Sequence, residues 1–465
     1  MREGDLCLSN SGAVRRWIAP VAFVGFILSG CATTSHPMMP TPALYAGPEA
    51  RTLFTDPLVD DRKPPLDLLF ITDRRPAKSP DEDAPYTAER SRSIAFGSTT
   101  IEFGEDISWD LLVKKSLVAQ RTDPLYLRLG PTKELGRFPP IPYEIAAVPG
   151  GMSRLPTIVE AHQRAKQALQ DEIARRLSIA RRREVVLFVH GYDDTFEDAA
   201  LTMGELCHFL GRDFVCGIFS WPAGGRRGQL LGYDFDTESS EYAVEDLLKT
   251  IRIVAGTPGV ERIHLLAHSR GTDTLATALS ELSAEAYMLR ESLGRRFKIA
   301  NVVLMAPDID GDVALSKIFK VFSDPDLPFG GMSDPSAALE PTPEFKLTLY
   351  VSPDDKALAT SGWLMGSVAR LGRINSEMFT PHEMKEMSTW GEVNVIQVRG
   401  TTDFFGHSYF ESNPRVSADI IAMVRYGLKP NEAGRPLEQI AGPFWCIPAR
   451  DEPSPQAKNV SQLAP

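Results

Sequence analysis

From residue 184 the chain alternates short apolar runs with amphipathic stretches. Residues 185–189, 214–220, 263–266, 299–305, 345–351 and 393–398 are rich in Val, Ile, Leu and Phe, as expected of strands buried on both faces. Between them, apolar residues recur every three or four positions over 196–210, over 237–254 and after Ser269 through Leu275, Leu279 and Leu282. A longer, charged stretch over 156–183 carries Ile158, Ala161, Ala165, Leu169, Ile173 and Leu177 on one helical stripe. The last helix is expected from Ser412-Asn413-Pro414, a cap followed by proline, to a stop at Gly427. Strands alternating with helices predict an α/β fold over residues 151–430, with a mostly parallel sheet and helices on both faces. Ligands of such sheets bind at the carboxyl ends of the strands.

Upstream the period changes to two. Residues 66–72 read as a short apolar strand, followed by a polar loop over 73–91. Residues 93–97 and 100–104 alternate like the two strands of a hairpin. Residues 66–150 are therefore expected to form a small β-rich lobe. Past residue 430 the periodicity is lost. The extension 431–465 is expected to be disordered from 449 onward, with Phe444-Trp445-Cys446-Ile447 returning to the domain.

The N-terminus adds a location. Arg15-Arg16 precede an apolar run over 17–28 that is shorter than a typical membrane-spanning helix, the pattern of a signal peptide. It ends in Leu28-Ser29-Gly30-Cys31, which resembles the lipobox of bacterial lipoproteins. That likeness implies cleavage after residue 30, acylation of Cys31 and attachment to an envelope membrane. Ala32-Thr33 favour the outer membrane over the inner. Residues 31–65, rich in Pro, Thr, Ser and Ala, read as a flexible tether. Beyond Cys31, the three thiols Cys207, Cys216 and Cys446 suffice for one disulfide. The net charge is −11 and no basic stripe is long enough to follow a phosphate backbone, which excludes nucleic acid as a partner.

The chemistry centres on Ala267-His268-Ser269-Arg270-Gly271, where an apolar strand turns into a helix between two small residues. This is an imperfect nucleophile elbow, with alanine in place of the first glycine. A serine hydroxyl needs a base, and the base needs an orienting carboxylate. Of eight histidines, His36 lies in the tether, His162 and His208 in helices, His264 and His268 in or beside the elbow strand, and His382 in a polar segment. His190 follows a strand directly, and His407 follows the last strand in Gly406-His407-Ser408. With the chain order serine, acid, histidine, His407 is the candidate base. Asp355, at the end of the preceding strand, is the candidate acid. Asp354 is a direct rival, and Asp308 and Asp310 are lesser ones. Phe188-Val189-His190-Gly191-Tyr192 fits an oxyanion loop, with the backbone amides of Tyr192 and Arg270 as donors. His190 is then expected to orient the loop. No His/Cys cluster has ligand spacing, so neither metal nor organic cofactor is expected. The loop at 224–229 and the insertion at 324–343 are candidate lids.

These blocks, together with Thr195-Phe196-Glu197-Asp198-Ala199, Phe219-Ser220-Trp221-Pro222 and Ala306-Pro307-Asp308-Ile309-Asp310, resemble the bacterial alpha/beta hydrolases of unknown function over residues 66–427. The likeness implies the alpha/beta-hydrolase fold and a triad of Ser269, Asp355 and His407, acting through an acyl-enzyme on a small-molecule or lipid acyl substrate. The expected protein is an envelope-anchored serine hydrolase, esterase- or lipase-like. An acyltransferase or peptidase with the same triad, or a noncatalytic scaffold that keeps the fold, are the alternatives. The family usually carries methionine after the nucleophile. Arg270 stands there in this chain, and its charge is expected to bias the site towards anionic substrates.

Overall fold

The computed structural model describes residues 36–46, 50–54, 63–78, 85–224, 229–323, 345–366, 369–389, 392–399 and 406–447. The strands are β1 (His36–Pro37), β2 (Leu66–Pro76), β3 (Tyr86–Phe103), β4 (Tyr126–Arg137), β5 (Ile145–Val148), β6 (Gly151–Arg154), β7 (Glu184–Val189), β8 (Val215–Ser220), β9 (Arg262–His268), β10 (Ile299–Met305), β11 (Lys346–Val351), β12 (Val393–Gln397), β13 (Glu438–Ala441) and β14 (Phe444–Cys446). The helices are α1 (Trp109–Ser116), α2 (Pro156–Ile179), α3 (Phe196–Phe209), α4 (Gln229–Ala255), α5 (Gly271–Met288), α6 (Leu293–Phe297), α7 (Gly311–Ser323), α8 (Lys356–Met365), α9 (Pro381–Met387), α10 (Tyr409–Ser412) and α11 (Pro414–Tyr426).

Twelve strands form one sheet in the order β1-β4-β3-β2-β8-β7-β9-β10-β11-β12-β14-β13. The run from β2 through β8, β7, β9, β10, β11 and β12 is parallel. Its side chains sort by the period of two that any strand imposes. Val185, Leu187, Val189, Leu265 and Ala267 meet α2, α4 and α5 in one core, while Val186, Phe188, Leu266 and Met305 meet α3 and α11 in the other. Register then levels the strand ends. Val189 pairs with Phe219 and with Ala267, His268 with Met305, and Met305 with Tyr350. The loops after these strands therefore converge on one edge.

The helix ends follow their sequence signals. Thr195 and Asp198 form a capping box on α3. Asn413 caps α11 ahead of Pro414, and Gly427 ends it at φ 68°. Helix α4 begins at Gln229, two turns before the expected 237, and α2 stops at Ile179 rather than 183.

Two expectations upstream need correction. The expected hairpin over 93–104 is a single 18-residue strand, β3. Gly97 serves close approach instead of a turn, because a Cβ there would lie 2.0 Å from the Lys133 carbonyl oxygen and 2.7 Å from the Phe70 ring. The N-terminal lobe is β-rich and antiparallel, as expected, and it continues the main sheet, since β2 pairs with β8. The expected tether is docked over much of its length: β1 pairs with β4, and Met38, Met39, Tyr45 and Leu53 are buried. The Tyr45 hydroxyl donates to the Phe209 carbonyl, and Arg425 donates to the Leu53 carbonyl. Four buried apolar side chains outweigh a composition that reads as flexible. In the C-terminal extension, β14 adds to the sheet beside β12. A disulfide joins Cys207 of α3 to Cys216 of β8.

Candidate active site

At the turn between β9 and α5, Ser269 adopts φ +50°, a left-handed conformation costly for any residue with a Cβ. The strain is held from both sides. The Ser269 amide donates to the Met305 carbonyl at 2.9 Å, and its own carbonyl accepts from the Thr272 hydroxyl at 2.6 Å and the Asp308 amide at 3.2 Å. Gly271 is obligatory here, because a Cβ would stand 2.1 Å from the His190 carbonyl oxygen. At the other flank Ala267 is fully buried between β7 and β10, which a methyl group fills without strain.

The structure brings His407 and Asp355 together, with Nδ1 and Oδ2 2.7 Å apart. Asp355 is fully buried and caps α8 by accepting the Leu358 amide on Oδ1 at 2.9 Å, so its rotamer is fixed from two directions. The rivals are elsewhere. Asp354 points to solvent. Asp308 is taken by the Tyr233 hydroxyl at 2.9 Å and the Ser361 hydroxyl at 2.7 Å, with Arg370 at 3.5 Å. Asp310 caps α7 through the Asp312 amide. His407 also lies beside the elbow, its ring centroid 4.9 Å from that of His268. Burial and the neighbouring His407 hold His268 well below the usual histidine range, so it is neutral.

The loop after β7 is built around His190. Its Nδ1 bonds the Gly191 carbonyl at 3.0 Å, and its Nε2 accepts the Trp221 amide at 3.1 Å, an arrangement suited to the neutral ring. Burial and the Arg74 guanidinium keep it far below the usual histidine range. His190 therefore orients the loop, as expected, and stacks on Trp221 with centroids 5.0 Å apart. Gly191 passes against Ser269: a Cβ at this position would be 2.9 Å from Ser269 Cβ and 3.1 Å from His268 Nδ1. Tyr192 follows, its ring 5.4 Å from that of Tyr233. The Arg270 amide lies at the N-terminal end of α5, where the helix dipole is positive.

Two residues of this loop's support were missed in the sequence. Arg74, fully buried at the end of β2, donates to the Asp194 carbonyl at 2.7 Å, the Ala223 carbonyl at 2.8 Å and the Ser220 hydroxyl at 2.8 Å. Asp194 accepts the Gly191 amide at 2.7 Å. Burial and nearby Asp198 raise its carboxyl to about 7. The only signal was a charged pair, Asp73-Arg74, closing an apolar run.

Arg270 corrects one expectation. Its side chain is 7% exposed, pairs with Asp273 at 3.2 Å and donates to the Ser240 hydroxyl at 3.3 Å. Asp273 is shared with Lys317. The Arg270 guanidinium is thus engaged by Asp273 and Ser240 between α4 and α5, and is not free to meet a substrate. The other histidines serve packing or surface pairs: His208 meets the Ser116 hydroxyl, His264 bonds Glu184 and Asn301, and His382 pairs with Glu386 in solvent. Most of the candidate lids, 225–228 and 324–343, and the lipobox with Cys31 lie outside the described residues. Among the described residues no helix is long and apolar enough to cross a membrane.

A mostly parallel sheet between two helical layers, with a strained serine on the strand–helix turn of a central strand, defines the alpha/beta-hydrolase fold. The chain belongs to the family described as alpha/beta hydrolase of unknown function (DUF900), whose model matches residues 165–425. Arg74 and the antiparallel strands lie outside that match. Similar solved structures include an esterase from Pyrobaculum calidifontis, 12% identical, covering 53% of this chain and 78% of that one with a TM-score of 0.28. A predicted CIB-like hydrolase from Thermoplasma acidophilum is 14% identical, with 53% and 87% covered and a TM-score of 0.29. No curated protein matches the sequence.

Proposed function

We propose that the protein is an envelope-anchored serine hydrolase of the esterase type, with Ser269 as nucleophile, His407 as base and Asp355 as the orienting acid. The observation that carries this reading is the 2.7 Å bond from His407 Nδ1 to a fully buried Asp355, beside a serine at φ +50°. Ser269 Oγ attacks the acyl carbonyl carbon while His407 Nε2 takes its proton, and Asp355 stabilises the imidazolium. The oxyanion is met by the amides of Tyr192 and Arg270, each worth about 3 to 4 kcal/mol of barrier. As the tetrahedral intermediate collapses, the leaving alcohol takes the proton from His407. Water, deprotonated by the same imidazole, then releases the acid and restores Ser269.

Acylation of Cys31 holds this enzyme at the envelope, on the periplasmic side of the outer membrane. The lipobox sequence supports that placement, and the Cys207–Cys216 disulfide suits an oxidising compartment. A fluorophosphonate probe tests the chemistry: the wild type is labelled and Ser269→Ala is not. Labelling that survives the substitution refutes the assignment.

A further inference from the structure

The segment from His36 to Thr41 is fastened to one edge of the sheet. His36 and Pro37 pair with Leu127 and Tyr126 on the edge of the sheet. The segment that follows is fastened to the same region: Met38 donates to the Leu125 carbonyl at 2.7 Å, and the Thr41 hydroxyl donates to the Val118 carbonyl at 2.7 Å. Arg121 donates to the carbonyls of Met38 and Met39 at 3.0 and 2.9 Å.

Around this fastening point several apolar side chains are exposed among charged ones, Asp110 and Asp123 included. Leu111, Leu117, Val118 and Tyr126 are 44%, 41%, 41% and 43% exposed. Leu111 lies on α1, and Leu117 and Val118 follow directly after its last turn. Lys114 and Lys115 lie on the same short helix. Leucines and a valine gain nothing in water, whereas an apolar group flanked by lysines matches the boundary of an anionic lipid leaflet.

Chain length supplies the partner. Four residues lie between Cys31 and His36, so the five steps reach at most about 18 Å fully extended. Resting on the reading that Cys31 is acylated, we propose that the face formed by Leu111, Leu117, Val118 and Tyr126 lies on the lipid leaflet that holds the anchor. A tether docked so close to its lipid keeps this edge near the leaflet. The protein is thereby held at a fixed orientation instead of tumbling on a long leash.

The full-length lipoprotein in phosphatidylethanolamine–phosphatidylglycerol vesicles tests this. An environment-sensitive fluorophore is attached to Val118→Cys or, as a control, to Met288→Cys, an exposed position at the end of α5. Retained fluorophosphonate labelling of both variants verifies their fold. The label at 118 is expected to shift to the blue and to be quenched severalfold by brominated acyl chains, and the label at 288 to do neither. If the chain carries acyl groups by mass and floats with the vesicles while the label at 118 stays water-like, the orientation is refuted and the anchor stands. A chain that is not acylated and does not float refutes both. Neither result touches the triad.

Discussion

Gly191→Ala isolates the contact between the proposed oxyanion loop and Ser269. The added methyl would stand 2.9 Å from Ser269 Cβ, 3.1 Å from His268 Nδ1 and 3.4 Å from Asp194 Oδ2. Carbon atoms rest at about 3.5 to 4.0 Å, so loop and elbow must separate by roughly 0.6 to 1 Å. Gly191 is not among the residues at positive φ, so alanine suits the backbone and the effect is steric. Overpacking of this kind costs about 1 to 3 kcal/mol of stability, which a domain of this size tolerates. Activity is more sensitive, since a displacement near 1 Å costs about 100-fold in rate. The amide of Tyr192 moves with the loop while that of Arg270 stays with α5. The expected outcome is a 10- to 100-fold loss of kcat/KM on a p-nitrophenyl ester, and a matching loss in the rate of fluorophosphonate labelling, with the circular dichroism spectrum unchanged. A variant within twofold of wild type in both rates refutes this account of the loop. Gly271→Ala is no substitute, because its methyl would meet the His190 carbonyl at 2.1 Å and break the elbow itself.

Asp355→Asn keeps the α8 cap but presents the wrong tautomer to His407, and kcat is expected to fall about 10⁴-fold with Tm nearly unchanged. Asp354→Asn, in solvent, is expected to stay within twofold, and equal losses in the two variants refute the choice of acid. Asp73 and Asp246 are buried, with all four carboxylate oxygens lacking hydrogen-bond partners. Burial first, and then Asp246, raises Asp73 well above the usual carboxylate range. Its contribution to stability is therefore full below its unfolded pKa of about 4 and is lost as pH rises through the higher folded value. Asp73→Asn should gain Tm relative to wild type between pH 5 and pH 8, and an identical difference at both pH values refutes this.

The parallel sheet was legible because strands buried on both faces have to be continuously apolar, and the helices because their stripes repeat at 3.6 residues. Pairing of β2 with β8 was not, since a strand's neighbours depend on contacts more than a hundred residues away. The hairpin expected over 93–104 failed for a related reason: Gly97 carries the same letter whether it makes a turn or admits a neighbouring ring. Residues 36–54 read as a tether because composition reports the average cost of ordering, not the few side chains that find a pocket.

Within the site, the chain order of Ser269, Asp355 and His407 and the small residues at 267 and 271 are written in the sequence, because a tight turn and a proton relay admit few residue types. Choosing Asp355 over Asp354 and Asp308 took the tertiary structure, which alone decides which carboxylate faces the imidazole and which is occupied by Tyr233 and Ser361. It also turned Arg270 from a free cation into a partner of Asp273, and brought Arg74 of β2, outside the family-matched segment, against the loop after β7. Sequence determines which groups exist and how they are spaced. Their charge, exposure and partners follow from the fold, because electrostatics and burial act through space.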